Sequence, residues 1–201
     1  MDIPPQLNLL VILLLGSSLG SFGATLAIRF SLQSELYESR SRCDSCMSAI
    51  SWYHNIPIIS FIVLRGRCTQ CHSTISRFQF VSEILTTLLF VVVYLMDIFW
   101  ISKLSLFLIA CVTAPLAFID LVLKRLPNFI TLPVTIITTV LFSYYLIFQS
   151  DHWFTPVLTV CSIFLFYFLV YVFSRGNFGL GDVKLSLPLA ITLVTIDTKI
   201  A

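Results

Sequence analysis

Charged side chains are scarce in this sequence. Ten acidic and 12 basic residues make up only 11% of its 201 residues, too few to cover a soluble globule or to keep a chain disordered. Glycine occurs only 7 times, which excludes a collagen. The basic residues form no dense cluster of the kind that binds nucleic acid. The composition therefore excludes soluble, disordered, collagenous and nucleic-acid-binding proteins.

Apolar residues take the place of the missing charges. They make up 58% of the chain, with 18 Phe, and the mean hydropathy is +0.97. A helix needs ~20 apolar residues to cross a bilayer, and unbroken apolar runs favour helices over barrel strands, which alternate. The predicted spans are 7–28, 79–101, 104–123, 128–148, 153–173 and 183–196, the last being short. The sequence thus predicts an all-α, polytopic transmembrane bundle of about six spans.

The chain is expected to have three parts. A first transmembrane span occupies 1–28, a polar insertion with half of the Lys and Arg occupies 29–78, and a transmembrane bundle occupies 79–201. No internal repeat or low-complexity tract stands out. The bundle is expected to be short at its C-terminal end.

The distribution of basic residues predicts the orientation in the membrane. Ten of them fall on one predicted face: Arg29, Arg40, Arg42, Arg65, Arg67, Arg77, Lys124, Arg125, Arg175 and Lys184. Only Lys103 and Lys199 fall on the other. Because basic residues favour the cytoplasmic side, the insertion is predicted to be cytoplasmic and the N-terminus external. The alternative, a cleaved signal peptide, is disfavoured because Asp2 and no base precedes the apolar run.

Four cysteines of the insertion form a candidate metal site. They lie in two Cys-x-x-Cys pairs separated by 21 residues: Cys43, Cys46, Cys68 and Cys71. Two such knuckles can place four thiolates at the corners of a tetrahedron, which suits a structural Zn²⁺. The alternative is a pair of disulfides, which a cytoplasmic location disfavours. His72 and His54 are weaker candidates for a ligand.

Two intramembrane acids form a candidate catalytic pair. Asp120 ends an inward-going span and Asp182 begins an outward-going one, so both are predicted near the cytoplasmic surface. Two close carboxylates tend to share a proton, so one can activate water while the other polarises a peptide carbonyl. Gly179 and Gly181 would let a substrate backbone approach closely and would permit a helix break.

These acids also have simpler alternative roles. Asp120 or Asp182 could instead pair with Lys124 or Lys184. Glu83, near the cytoplasmic start of the second span, either extends to the membrane surface or faces the bundle interior. The sequence favours neither position for Glu83.

Several motifs follow one another between residues 20 and 188. They are Gly20-Ser21-Phe22 with Arg29, the two cysteine pairs flanking Trp52–Pro57, Leu64–Cys68, Ile119-Asp120 with Arg125–Asn128, and Gly179–Lys184. In this order they resemble the bacterial type IV prepilin leader peptidases, which are polytopic GxGD-type aspartic proteases. Two positions depart from the family pattern, since Ala24 replaces a usual Asn and Asn128 replaces the Asp of an LPD-like element.

The resemblance implies an activity and its location. It implies an endopeptidase of the bacterial inner membrane that cleaves the leader of type IV prepilins or pseudopilins after a Gly, at the cytoplasmic face. It further implies methylation of the new N-terminal residue with S-adenosylmethionine, whose binding residues the sequence does not indicate. A non-catalytic, truncated, zinc-stapled scaffold of a pilus or type II secretion system is the alternative, and a proton relay is a third.

The resemblance also implies roles for particular residues. Asp120 and Asp182 become the catalytic pair, supported by Gly179, Gly181 and Lys184 of the second motif. Residues 79–201 become the aspartic peptidase bundle. The cysteine-bearing segment becomes the insertion found in bifunctional members.

Overall fold

The structure, a computed structural model, describes residues 5–32, 41–43, 45–148, 153–174 and 179–197. Within these ranges seven helices form and no named strand does: α1 Pro5–Ser31, α2 Ile59–Val63, α3 Arg77–Leu95, α4 Trp100–Leu123, α5 Asn128–Phe148, α6 Phe154–Phe173 and α7 Leu180–Asp197. A 3-10 turn at Trp52–Asn55 precedes α2. The predicted all-α architecture is confirmed. Arg40, Arg175 and Lys199 of the charge count lie outside the described residues.

Five of the described helices are long and apolar enough to cross a membrane. They are Leu7–Ser31, Arg77–Leu95, Trp100–Leu123, Asn128–Phe148 and Phe154–Phe173. The sixth predicted span, 183–196, lies within α7, which has 18 residues and carries Asp182, Lys184 and Asp197. The prediction of a polytopic helical membrane protein is therefore confirmed, with α7 as its least apolar helix.

The chain divides into two compact units. The first comprises Met1–Leu95 and Ala110–Leu123, and the second comprises Met96–Ile109 and Lys124–Ala201. The division falls within α4, whose first part belongs to the second unit and whose last part belongs to the first.

In the first unit, small residues let α1 pack closely along α3. A Cβ at Gly16 would lie 2.8 Å from the Cα of Thr87, and one at Gly20 would lie 2.8 Å from the carbonyl oxygen of Ser82. Ser82 also donates a hydrogen bond from Oγ to the Gly20 carbonyl at 3.0 Å. Glycine at these positions permits the close helix approach that is common in membranes.

In the second unit, α7 packs against α5 and α6. The buried side chains that form this core are Ile101, Phe142, Tyr145, Val160, Ala190, Ile191 and Val194. Ser102 donates a hydrogen bond to the Thr195 carbonyl at 2.7 Å. The core therefore holds α7 in place along much of its length, although α7 is less apolar than its neighbours.

Candidate functional site

Each pair of cysteines lies in a tight loop, and the two loops fold alike. The N–H of Cys43 donates to the Ser48 carbonyl at 3.0 Å, and that of Cys68 donates to the Ser73 carbonyl at 2.9 Å. An antiparallel bridge closes each loop one residue further out, Arg42 with Ala49 and Arg67 with Thr74. These two loops are the zinc-knuckle-like turns that the cysteine spacing predicts.

The likeness of the two knuckles extends to their sequences. Residues 42–51 and 67–76 read RCDSCMSAIS and RCTQCHSTIS, which are identical at six of ten positions. The equivalent residues Met47 and His72 both have a φ of 56°. The chain therefore contains a short internal repeat, which corrects the expectation that none stands out. The identical residues around the two cysteine pairs could have revealed this repeat from the sequence alone.

The two knuckles bring their four thiols together. All four Sγ atoms lie within 4.8 Å of one another, with Cys43 and Cys71 at 3.7 Å and Cys46 and Cys68 at 4.0 Å. A tetrahedral Zn²⁺ with ~2.3 Å bonds to sulfur holds its ligands about 3.8 Å apart. The cluster can therefore bind a metal ion, and its spacing fits zinc. Among the described residues, this cluster contains neither His72 nor His54.

Hydrogen bonds stabilise the thiolate forms that a metal needs. The backbone N–H of Cys46, the hydroxyl of Ser73 and the backbone N–H of Ser45 lower the pKa of Cys43 to about 6. The Ser48 hydroxyl lies 3.0 Å from the sulfur of Cys46. Because metals bind thiolates, Cys43 is ready to bind an ion at neutral pH.

Glu83 is buried rather than extended to the surface. Its side chain is 4% exposed, and Oε2 accepts a hydrogen bond from the backbone N–H of Ile58 at 2.7 Å. Of the two positions that the sequence left open, the structure therefore shows the interior one.

Asp120 lies in the first unit, in the last turns of α4, and is exposed. The residues before it anchor this part of the helix. Ile119 is fully buried, and the ring of Phe118 stacks on that of Phe78 with centroids 3.9 Å apart. The carboxylate is therefore accessible on a helix end that packing holds in place.

Asp182 lies in the second unit, in the first turn of α7, and is exposed. Its backbone N–H donates to the Gly179 carbonyl at 3.2 Å. A helix start has free N–H groups and the positive end of the dipole, both of which favour a carboxylate. Because Asp120 and Asp182 belong to different units, their pairing stays a prediction.

The other residues of the second motif contact Leu126, just before α5, and Asn128, the first residue of α5. A Cβ on Gly181 would lie 2.9 Å from the Cβ of Leu126, so only glycine permits this contact without a shift. Lys184 donates from Nζ to Oδ1 of Asn128 at 2.9 Å. Asn128 therefore binds Lys184 at the position where the LPD-like element has its acid.

Gly181→Ala is expected to destabilise the second unit by about 1–3 kcal/mol, because the added methyl overlaps Leu126. Combining it with Leu126→Gly, which removes the overlapping Cβ, should relieve the overlap, so the double variant should lose less stability than the two single losses together. Gly179→Ala is the control, since its Cβ would lie 3.3 Å from the flexible carboxylate of Asp182 and an ordinary 3.8 Å from the backbone nitrogen of Gly181. Thermal unfolding in detergent compares the wild type with these four variants, and strictly additive losses would contradict the contact.

These features define a polytopic, all-helical membrane protein with a four-cysteine cluster between its first two spans. Two family models match the chain: "Bacterial Peptidase A24 N-terminal domain" over residues 14–96 and "Type IV leader peptidase family" over residues 104–196. The chain belongs to the type IV leader peptidase family. The family resemblance predicted from the motifs is thus confirmed.

Curated relatives carry the name prepilin leader peptidase/N-methyltransferase. The Vibrio cholerae protein is 27% identical over 175 residues, which cover 81% of this chain and 65% of the relative. The Bacillus subtilis protein is 28% identical over 181 residues, 87% of this chain and 69% of the relative. The Myxococcus xanthus protein is 38% identical over 120 residues, 59% of this chain and 36% of the relative. For most of these relatives, the match therefore covers two thirds or less of the relative's own length. No solved structure matches the chain.

Proposed function

We propose that this protein is a membrane-embedded aspartic endopeptidase that cleaves the leader of type IV prepilins or pseudopilins at the cytoplasmic face of the bacterial inner membrane. The observation that carries the proposal is the match of residues 104–196 to the leader peptidase family, because this range contains both Asp120 and Asp182. The test is cleavage of a prepilin by the full chain, compared with variants of these two acids.

The proposed chemistry uses the two aspartates as a pair. The ionised carboxylate takes a proton from a water, whose oxygen attacks the scissile carbonyl carbon, while the protonated carboxyl donates a hydrogen bond to the carbonyl oxygen. A proton then passes to the departing nitrogen as the C–N bond breaks. Asp182 lies in the first turn of α7, where a helix dipole favours negative charge. We therefore assign the base to Asp182 and the acid to Asp120.

The second proposed activity is methylation of the new N-terminal residue. S-adenosylmethionine supplies the methyl group. This proposal is supported by the match of residues 14–96 to the N-terminal domain model and by the names of the relatives, which include N-methyltransferase. The insertion is proposed to be cytoplasmic, where the substrate leader and the methyl donor both are.

The four-cysteine cluster is proposed to hold Zn²⁺. Four thiolates complete a tetrahedral shell, so such a zinc leaves no position for a reacting water and acts as a structural link between the two knuckles. A segment with few buried apolar residues needs such a link to fold.

The purified protein is expected to contain one zinc per chain, and the double variant Cys43→Ser with Cys46→Ser should contain none. Serine is a poor zinc ligand, and two remaining thiolates bind the ion far more weakly than four. The double variant Cys111→Ser with Cys161→Ser is the matched control, because these two cysteines lie in α4 and α6 and should leave zinc unchanged. Elemental analysis measures the metal. Absence of zinc from the native protein, or its retention after loss of Cys43 and Cys46, would disprove the assignment.

A further inference from the structure

The first unit contains a cavity of about 200 Å³. Its wall comes from the end of α1, both knuckles, the segment before α2 and the start of α3, with Thr25, Cys43, Cys68, Pro57 and Glu83 as examples. By this measure a single water needs roughly 10–15 Å³. The cavity therefore has room for an organic molecule rather than for one ion or one water.

The wall is fixed by hydrogen bonds between the elements that form it. Gln79 of α3 donates from Nε2 to the Ser21 hydroxyl at 2.9 Å and to the Ser21 carbonyl at 3.2 Å. The elements that form the wall, which include α1, the knuckles, the segment before α2 and α3, all belong to one compact unit. The cavity is thus a preformed part of the fold, as ligand sites usually are.

Glu83 places a buried carboxyl group in the wall of this cavity. The carboxylate is 4% exposed and lines the cavity, and it accepts the Ile58 N–H at 2.7 Å. A carboxylate has about four acceptor positions, so this one bond leaves it the capacity to bind a ligand. Burying a charge is costly unless a partner compensates it, and a cationic ligand in the cavity would do so.

The backbone that supports Glu83 is strained. Ile58 has a φ of 63° and a ψ of −54°, a conformation that is unfavourable for a β-branched residue. Strain of this kind costs of order 1–3 kcal/mol and is concentrated at functional sites. The strained Ile58 N–H fixes the position of the Glu83 carboxylate, as expected for a residue that orients a ligand.

The same wall also carries positive charge. Arg29 and Arg42 line the cavity together with Glu83, so the wall of the cavity contains side chains of both signs of charge. A zwitterionic ligand, which has a carboxylate and a cation in one molecule, matches this arrangement. S-adenosylmethionine is such a ligand, with an amino-acid carboxylate, an ammonium and a sulfonium, whereas a simple amine offers only the cation.

We propose that this cavity binds S-adenosylmethionine, and that Glu83 is the binding residue that faces its positive charge. The inference rests on the proposed methylation and gives that activity a location. It also explains how the metal would matter to methylation without taking part in it. Because Cys43, Cys68 and Ser73 belong to the wall, an ion that joins the knuckles holds the cavity in shape.

The test measures ligand affinity with the purified full chain in detergent. In Glu83→Gln the amide oxygen can still accept the Ile58 N–H, so the variant removes the charge and keeps the hydrogen bond. We expect its affinity for S-adenosylmethionine in equilibrium dialysis to fall by about tenfold or more. The matched control is Asp97→Asn, which also removes one acid but lies after α3, in the second unit, and should bind as the wild type does.

A second ligand and a second variant sharpen the result. S-adenosylhomocysteine lacks the sulfonium charge, so a loss confined to S-adenosylmethionine assigns the sulfonium to Glu83, and an equal loss for both assigns the ammonium. Ala49→Trp places a bulky side chain on the exposed rim of the cavity and should weaken both ligands. If Glu83→Gln does not fold, the affinity of Ala49→Trp for S-adenosylmethionine tests the proposal instead.

The outcomes separate failure of this inference from failure of the proposed function. Affinity for S-adenosylmethionine that neither Glu83→Gln nor Ala49→Trp changes would overturn the inference, while methylation by the wild type would still support the function. The donor assignment is also overturned if Glu83→Gln weakens only the binding of a mature pilin peptide with a free N-terminal amine, compared with its acetylated form. A wild-type chain that neither binds S-adenosylmethionine nor methylates pilin would instead disprove the methylation itself.

Discussion

Asp120→Asn and Asp182→Asn are each expected to reduce prepilin cleavage by about 10²-fold or more, the usual cost of losing a general acid or base. Asparagine keeps the size of the side chain but cannot take up or release the proton. Both carboxylates are exposed, so neither change removes packing, and both variants should insert and accumulate normally. An immunoblot for uncleaved pilin, in cells that carry each variant in place of the wild type, measures the effect.

The control for these variants is again Asp97→Asn, which removes an exposed acid outside the family's two catalytic motifs. It should process pilin at the wild-type rate. If Asp120→Asn or Asp182→Asn also processed pilin at near that rate, the catalytic assignment would be wrong. Loss of cleavage together with loss of the protein from the membrane would indicate a structural role instead.

The double variant Cys68→Ser with Cys71→Ser is expected to reduce methylation to background and to reduce cleavage less. Without the second pair, the metal site loses half its ligands and the knuckles lose the ion that joins them. The helices should persist, because lipid and close packing such as that of α1 on α3 hold them. Methylation should fail first, because it is proposed to use the segment that contains the cysteines, whereas both acids proposed to be catalytic lie outside that segment.

Two measurements on one pilin substrate separate the activities of this variant. Incorporation of a radiolabelled methyl group reports methylation, and a mobility shift on a gel reports cleavage. The variant Cys111→Ser with Cys161→Ser should retain both activities. Normal methylation alongside lost cleavage would refute the proposal that methylation depends on the insertion and cleavage on the helices.

The long helices could be predicted because their apolar runs are continuous, but the turns between them were harder to place. A single span was predicted over 79–101, whereas the structure ends α3 at Leu95 and begins α4 at Trp100. The turn between them is rich in apolar residues and has Asp97 as its only charge, so hydropathy alone does not show it.

The start of α7 also differs from the sequence-based prediction, for a related reason. The sequence placed the last span at 183–196 and expected the glycines before it to permit a break, whereas Gly181 lies inside the first turn of a helix that begins at Leu180. Its small size serves the contact with Leu126. That contact joins residues 55 positions apart in the sequence, and local propensity gives no signal for it.

The four-cysteine cluster and the buried Glu83 show how far local sequence patterns can predict a site. Cysteine spacing was enough to predict four neighbouring thiols, because knuckle geometry is local. The position of Glu83 depends on the N–H of Ile58, 25 residues earlier in the chain, and the cavity depends on several elements that are separate in the sequence. The sequence therefore indicated which residues carry chemistry but not where a methyl donor could bind.

The central claim is that this chain both cleaves and methylates a type IV prepilin through Asp120 and Asp182 and the cysteine-bearing insertion. Mass spectrometry of the pilin N-terminus, after incubation with the purified full chain and S-adenosylmethionine, tests it most directly. The account predicts a product that has lost its leader after a Gly and carries one added methyl group on the new N-terminal residue. A pilin that keeps its leader, or an identical product formed by the Asp120→Asn with Asp182→Asn double variant, would contradict it.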